Sequence, residues 1–328
     1  MGLETRMYIT LALVFAIGFA IIYAILTYLG AGFFPILIFV ALFFLAQWYI
    51  SPDIMKIAAR LQYLKPNEHP DLQRMVKELA QQAGVPMPKV AISPSKEPNA
   101  YVFGRTRNSA TLVVHQGLLP MLNTNELRAV LAHEIGHLRH NDVAVMAIVS
   151  FIPMLAYMIA QNLMFSSMFG GMGGNRNNVG YLILIGFLAF VVYMITQLLM
   201  LSLSRARESF ADEYSADATK SPRDLASSLV KITLQNATAP VSSQSQSPES
   251  TVARSYYIVD VFGSAKDIEE INEHRAQLQN LLPNLDVSQL VNEAKRKGSS
   301  PAGAMLGLFS THPPTYRRLL DLVELSKK

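Results

Sequence analysis

The chain has 328 residues and a formal net charge of +4, and long stretches of it carry no charge at all, so much of it is not soluble-domain material. It contains no cysteine, which excludes disulfides and thiolate metal ligands and leaves histidine and carboxylate as the means of holding any metal. The positive balance needs no nucleic-acid partner, because the Lys and Arg flanking the charge-free stretches account for much of it.

In chain order, no charged residue occurs from Met7 to Pro52, between Asp142 and Arg176, or between Arg176 and Arg205. These runs predict four transmembrane helices at about 7–28, 32–50, 143–165 and 179–203. Each is long enough at about 1.5 Å per residue to cross roughly 30 Å of hydrocarbon. Gly30-Ala31-Gly32 is the expected turn of the first hairpin. A cleaved signal peptide has a shorter apolar core and no second span directly behind it, so the first span is expected to be retained. Arg6 stands where a myristoylation motif requires Ser or Thr, so a lipid anchor is not expected. Arg6, Lys56, Arg60, Lys65, Arg139, Arg205 and Arg207 flank the spans on one side, against Arg176 on the other. The positive-inside rule then places both termini and all polar segments in the cytoplasm of a multi-pass cell-membrane protein.

The domains expected from this pattern are a transmembrane hairpin at 1–50, a cytoplasmic part at 51–142, a second hairpin at 143–203 and a cytoplasmic part at 204–328. In the first cytoplasmic part, "DLQRMVKELAQQAGVP" has helical apolar spacing and ends at Gly84 and Pro86. "KVAIS", "NAYVFG" and "ATLVVH" read as strands, with "RTRNS" as the turn between the last two. Asn123 with Glu126 three positions on is a capping box opening the next helix. In the second cytoplasmic part, the Ser/Gln-rich stretch 238–250 reads as a mobile loop, and "EEINEHRAQLQNLLP" and "DVSQLVNEAKRKG" read as helices.

The capped helix carries His133, Glu134 and His137. Histidines four apart lie about 40° apart around a helix and about 6 Å apart along it, so both imidazoles can grip one ion, with Glu134 beside them as general base. His140 is about 10 Å from His133 along the axis, too far to join them, and His69, His115 and His274 read as lone surface histidines. A catalytic zinc ordinarily has three protein ligands and an open position. The third is expected from "SRARESFADEYSAD", right after the fourth span, where Glu208 and Asp212 share a helical face. Glu208 matches His137 in depth above the bilayer; Glu213 and Asp217 compete for the role, and the lesser alternative is an ordinary charged face with Arg205 and Arg207 as lipid-headgroup anchors. A zinc helix so close to a membrane makes sense if the site is built on the cytoplasmic ends of transmembrane helices, with substrates at that surface.

The paired spans, "PNAYVFG", "HEIGH", "RESFAD" and "STHPPTYRR" together resemble the HtpX-like membrane metalloproteases, relatives of the integral-membrane CaaX prenyl protease, over nearly the whole chain. The resemblance implies a mainly α integral-membrane fold with an α+β zincin-like (gluzincin) catalytic domain. It implies one zinc held by His133, His137 and Glu208, with Glu134 as catalytic base and Asp212 orienting a ligand. It maps an oxyanion donor to His312 and an arginine role to Arg318, with Arg317 as the immediate competitor. Asn99, Ala100 and Tyr101 are the expected substrate-binding strand, pairing backbone to backbone with an unfolded chain. The implied work is quality control of misfolded or damaged membrane proteins. The alternatives are processing of one lipidated or membrane substrate, and a four-span channel or scaffold with structural zinc. Against the channel, the spans hold no ionisable residue to mark a pathway. Expected partners are unfolded or membrane-protein substrates and the bilayer; self-association is left open.

Overall fold

A computed structural model describes residues 59–142, 179–238, 264–279, 281–283 and 313–327, with 52–57 and scattered helical positions at 42–50 and 145–160. The spans expected at 7–28, 32–50 and 143–165 lie outside the described residues but for those scattered positions, as do the Gly30–Gly32 turn, the stretch 239–250, the helix expected at 286–298 and His312. The chain divides into two compact units, one of Met1–Ile50 and Val145–Ala206, the other of Ser51–Ala144 and Arg207–Lys328.

The second unit begins with the two-residue strand β1 (Gln62–Tyr63) and helix α1 (Pro70–Ala83). Proline at the first helical turn costs no hydrogen bond, and Asp71 complements the helix dipole. At the other end Gly84 takes the left-handed conformation (φ 67°) and its N–H returns to the last turn, as the Gly-Val-Pro sequence predicts. Leu72, Val76, Leu79 and Ala80 form the buried stripe.

Strands β2 (Lys89–Ser93), β3 (Ala100–Phe103) and β4 (Thr111–His115) follow the sequence pattern closely. The order is β1-β2-β4-β3, with β2 and β4 parallel and the other pairs antiparallel. A one-turn 3-10 helix, Arg107–Ser109, makes the turn between β3 and β4. Alternate residues serve two cores. Val90, Ala100, Val102, Leu112 and Val114 join the large core with α1, while Ala91, Tyr101, Phe103 and Val113 join Met55 and Ala59 on the other face. Burial on both faces is why the strands read as continuous apolar runs.

Helix α2 (Thr124–Arg139) packs against α1, β3 and α4 (Pro222–Thr238), and every residue from Ala129 to Leu138 is buried. Its capping box forms as expected: the Asn123 side chain accepts from the N–H groups of Asn125 and Glu126, and Glu126 accepts from Asn123 N–H at 3.0 Å. Helix α3 (Val179–Thr219) runs unbroken from the fourth predicted span through Glu208 and Asp212. Among the described residues, one helical stretch, Ile183–Thr219, is long and apolar enough to cross a membrane, with a mean hydropathy of 2.4 in its apolar window. Only 28% of that window is buried, and Leu184, Phe187 and Leu198 are exposed, unlike the core helix of a soluble protein. Helix α4 also packs on α5 (Ser264–Glu273) and α7 (Thr315–Leu325), with the short α6 (Arg275–Leu278) against α7.

Glu126 does more than cap. Its buried carboxylate also accepts from Ser227 Oγ at 2.6 Å and pairs with Lys231 Nζ at 2.7 Å, fastening the start of α2 to α4. Burial works to raise its pKa, but Lys231, Ser227 and the Asn123 N–H outweigh burial and hold the carboxyl below the usual range. Its contribution to stability is therefore present above the ordinary Glu pKa and is lost as pH falls through the lowered value. In thermal unfolding of the detergent-solubilised protein, Asn123→Ala is expected to cost about 1 kcal/mol. Glu126→Ala is expected to cost more, and its deficit should shrink as the pH falls through the lowered pKa.

Candidate active site

Helix α2 brings His133, Glu134 and His137 into the interior, where all three are buried. Helix α3 crosses it at Gly136: a Cβ there would lie 3.1 Å from Ala211 Cα and from Tyr214 Cδ1, so the absent side chain is what allows the close approach. One turn along α3 from that contact, the Glu208 carboxylate faces the two imidazoles. His133 Nε2 and His137 Nε2 are 3.2 Å apart, and Glu208 oxygens stand 3.5 Å from each.

The far ring nitrogens fix what those three atoms offer. His133 Nδ1 lies 2.9 Å from Asp212 Oδ1, and His137 Nδ1 lies 2.7 Å from Asp142 Oδ2. A neutral imidazole donating through Nδ1 turns a lone pair outward at Nε2. Two lone pairs and a carboxylate then converge with no hydrogen between them, an arrangement that a cation resolves. A tetrahedral ion with bonds of about 2.0–2.1 Å sets its ligands about 3.3–3.4 Å apart, which matches the three separations. The residues fit a divalent metal.

The electrostatics agree. In the metal-free chain, burial works to lower the pKa of His133, but hydrogen bonds to Asp212 and Glu208 win and lift it to about 9, so a proton takes the place of a cation. Burial is likewise the main cause that raises Glu134, to about 7, against the pull of His133 and His137. Asp212 is kept below the usual carboxylate range although burial opposes this, because Arg318 forks onto it, Nε to Oδ2 at 2.8 Å and Nη2 to Oδ1 at 2.6 Å. Arg318 Nη1 also reaches to 3.5 Å from Glu208.

The competing residues separate by burial. Glu213 and Asp217 are exposed, and Asp217 pairs with Lys220. Arg317 points outward to the Tyr316 hydroxyl, leaving the interior to Arg318. His140 stacks on Phe210 with ring centroids 5.3 Å apart and is not in the ligand group. His115, expected on the surface, is instead fully buried at the end of β4: its Nδ1–H donates to the Glu97 carbonyl, and burial pushes its pKa down to about 4. Asn99, Ala100 and Tyr101 are buried as side chains, the last two in β3, an edge strand of the described sheet that packs against α2. Pro313 and Pro314 lead into α7, which carries Arg318 inward.

Two residues escaped the sequence reading. Asp142 was only the border of an apolar run, and Arg207 was weighed as a headgroup anchor; the structure pairs them at 3.1 Å, with Asp142 on His137. The signal was a buried-side arginine directly before Glu208, which spacing alone cannot tell from a membrane flank.

Residues 66–326 match the model of peptidase family M48. A Protease HtpX homolog of Methanothermobacter thermautotrophicus is 38% identical over 236 residues, 71% of this chain and 86% of the relative. One from Moorella thermoacetica is 33% identical over 328 residues, covering 100% of this chain and 95% of the relative. In fold the chain resembles the crystal structure of Ste24p from S. mikatae (TM-score 0.52, 22% identity, covering 97% of this chain and 67% of that one). With the family match spanning most of the chain and such relatives aligned across most of their own length, this protein belongs to peptidase family M48 and is a membrane metalloprotease of the HtpX type.

Proposed function

We propose that the protein is a zinc endopeptidase that hydrolyses misfolded or damaged membrane proteins at the cytoplasmic face of the cell membrane. The observation that carries the zinc reading is the triangle of 3.2 Å and 3.5 Å separations among His133, His137 and Glu208, with both outer ring nitrogens held by carboxylates. We take these three as the ligands of one zinc per chain, with Asp212 and Arg318 orienting them. The membrane reading rests on the four charge-free runs and on Glu208 lying five residues beyond Leu203 on one unbroken helix, about 8 Å along its axis. The Lys/Arg bias supports cytoplasmic termini, and no sequence-specific pocket is needed for a substrate that pairs as a strand along Asn99, Ala100 and Tyr101.

When bound, zinc supplies Lewis acidity, polarising the scissile carbonyl and lowering the pKa of a water toward about 7. Glu134 accepts the proton from the attacking water and delivers it to the leaving nitrogen. Its buried position suits both halves of that task, because a carboxylate lifted by burial and drawn back by nearby positive charge can take and give a proton near neutrality. His312 donates to the oxygen on which negative charge develops. The His133 ring keeps its orientation because Asp212 is itself clamped by Arg318.

Purified protein is expected to hold about one zinc, with retention greatly weakened in His133→Ala, His137→Ala and Glu208→Ala and unaffected in His140→Ala. Normal zinc in Glu208→Ala by metal analysis removes that ligand from the set. Because a proton occupies His133 in the metal-free chain, zinc binding at neutral pH should release protons, and retention should weaken as the medium is acidified.

Glu134→Gln should keep zinc while digestion of casein or a membrane substrate drops by about 10²–10⁴-fold. His312→Ala should cost less than Glu134→Gln, with zinc again retained. Full hydrolysis by zinc-loaded Glu134→Gln protein rules out the mechanism. For topology, an impermeant thiol reagent applied to whole cells should label a cysteine introduced at Asn177 and spare one at Ser95; the reverse pattern inverts the orientation.

A further inference from the structure

The approach of Asp142 to His137 depends on a backbone reversal. Helix α2 ends at Arg139 with His140 as its cap, and Asn141 then takes a left-handed conformation (φ 61°), one that asparagine adopts more readily than most residues. The turn brings the Asp142 carboxylate back beneath the last turn of the helix, 2.7 Å from His137 Nδ1. On helix grounds this is a poor place for an acid, since the C-terminal end of a helix repels negative charge. Burial makes it worse: the Asp142 side chain is 3% exposed. Something must compensate for an aspartate there, and two groups do. One is the His137 N–H. The other is Arg207, whose Nε is 3.1 Å from the second carboxylate oxygen and whose side chain is itself 11% exposed.

Arg207 directly precedes Glu208 on α3. The residue before one candidate ligand therefore forms an ion pair with the carboxylate that faces another candidate ligand on α2. The same scheme holds His133, where Arg318 grips Asp212. The two imidazoles are each backed by a carboxylate, and each carboxylate by a guanidinium. We infer that Asp142 and Arg207 are a positioning pair for the metal centre: they fix the ring and tautomer of His137 and tie the end of α2 to α3 before any metal is bound. This inference rests on the reading of His133, His137 and Glu208 as ligands. Neither residue touches substrate; both act through His137.

The groups that face a ligand histidine's outer nitrogen ordinarily change metal affinity about 10–100-fold when removed. Competition with a chromogenic chelator on the full-length, detergent-solubilised protein measures that directly, and cobalt substitution reads the geometry through the visible spectrum of a tetrahedral site. Asp142→Asn keeps size and shape but loses the charge; it should bind zinc about 10–100-fold more weakly and alter the cobalt spectrum. Arg207→Met should weaken binding in the same direction, and Arg207→Lys, which restores the cation, should recover most of it. Asp217→Asn, an exposed acid elsewhere on α3, should bind as wild type. His137→Ala separates the two readings: if it keeps wild-type affinity, the ligand assignment fails. If His137→Ala loses zinc while Asp142→Asn stays within about twofold of wild type with an unchanged cobalt spectrum, the positioning inference is overturned. Should Asp142→Asn fail to fold, the Arg207→Met and Arg207→Lys pair decides alone, equal affinities overturning the inference.

Discussion

Four carboxylates, from Glu134, Asp142, Glu208 and Asp212, share a largely dehydrated interior with two guanidiniums, Arg207 and Arg318, and with the imidazoles of His133 and His137. Ionised carboxylates are costly out of water unless they are paired. Two of the four are answered by the arginines. Arg318 also reaches to 3.5 Å from Glu208, so two positive charges stand against four carboxylates, and a divalent cation among His133, His137 and Glu208 would offset the difference. Without a cation the interior favours protons: against burial, hydrogen bonds to Asp212 and Glu208 lift the pKa of His133 to about 9, and burial itself lifts that of Glu134 to about 7. In the same unit α2 is buried from Ala129 to Leu138, and α3 and α7 each send one arginine inward.

Helix α3 carries an apolar stretch and candidate site residues on one element. A helix as long as Val179–Thr219 satisfies its own backbone hydrogen bonds over its whole length, so it can leave lipid and enter a polar domain with no break. The side chains change at Arg205, from an exposed apolar surface to the sequence of charged groups that serve the site. No loop intervenes between the apolar stretch and Glu208 or Arg207. A rigid helix, unlike a loop, holds the Glu208 side chain in a defined position.

What was legible in the sequence was local. The capping box at Asn123 and Glu126, the Gly84 stop, the three strands and the facing histidines all depend on residues within a few positions of each other, and each lies where the pattern puts it. The choice of Glu208 over Glu213 and Asp217 rests on its depth relative to His137 and on the resemblance; of the three, Glu208 is the buried one. The illegible features need information from distant parts of the chain. Strand β1 is two residues long and exists through its pairing with β2. His115 reads as polar and becomes core because the Glu97 carbonyl, 18 positions earlier, receives its N–H. Asp142 depends on a left-handed Asn141 and on Arg207 across another helix, and no periodicity carries either.

Gly136 connects these scales. Two histidines four apart leave three positions between them, and the last of those, one residue before His137, faces the crossing with Ala211. Side chains of fixed length set a narrow range for the distance between helices: the Glu208 carboxylate has to come within about 3.5 Å of both imidazoles. A Cβ at position 136 would meet backbone on α3 at 3.1 Å, and backbone cannot rotate away as a side chain can. The glycine lowers helix propensity by about 1 kcal/mol relative to alanine in the middle of a buried helix. Asn123, Glu126 and the packing of α2 on three elements offset that cost. The helix keeps its weakest residue at this crossing, where a Cβ would press on α3 backbone, so the spacing of the motif and the approach of the two helices act together.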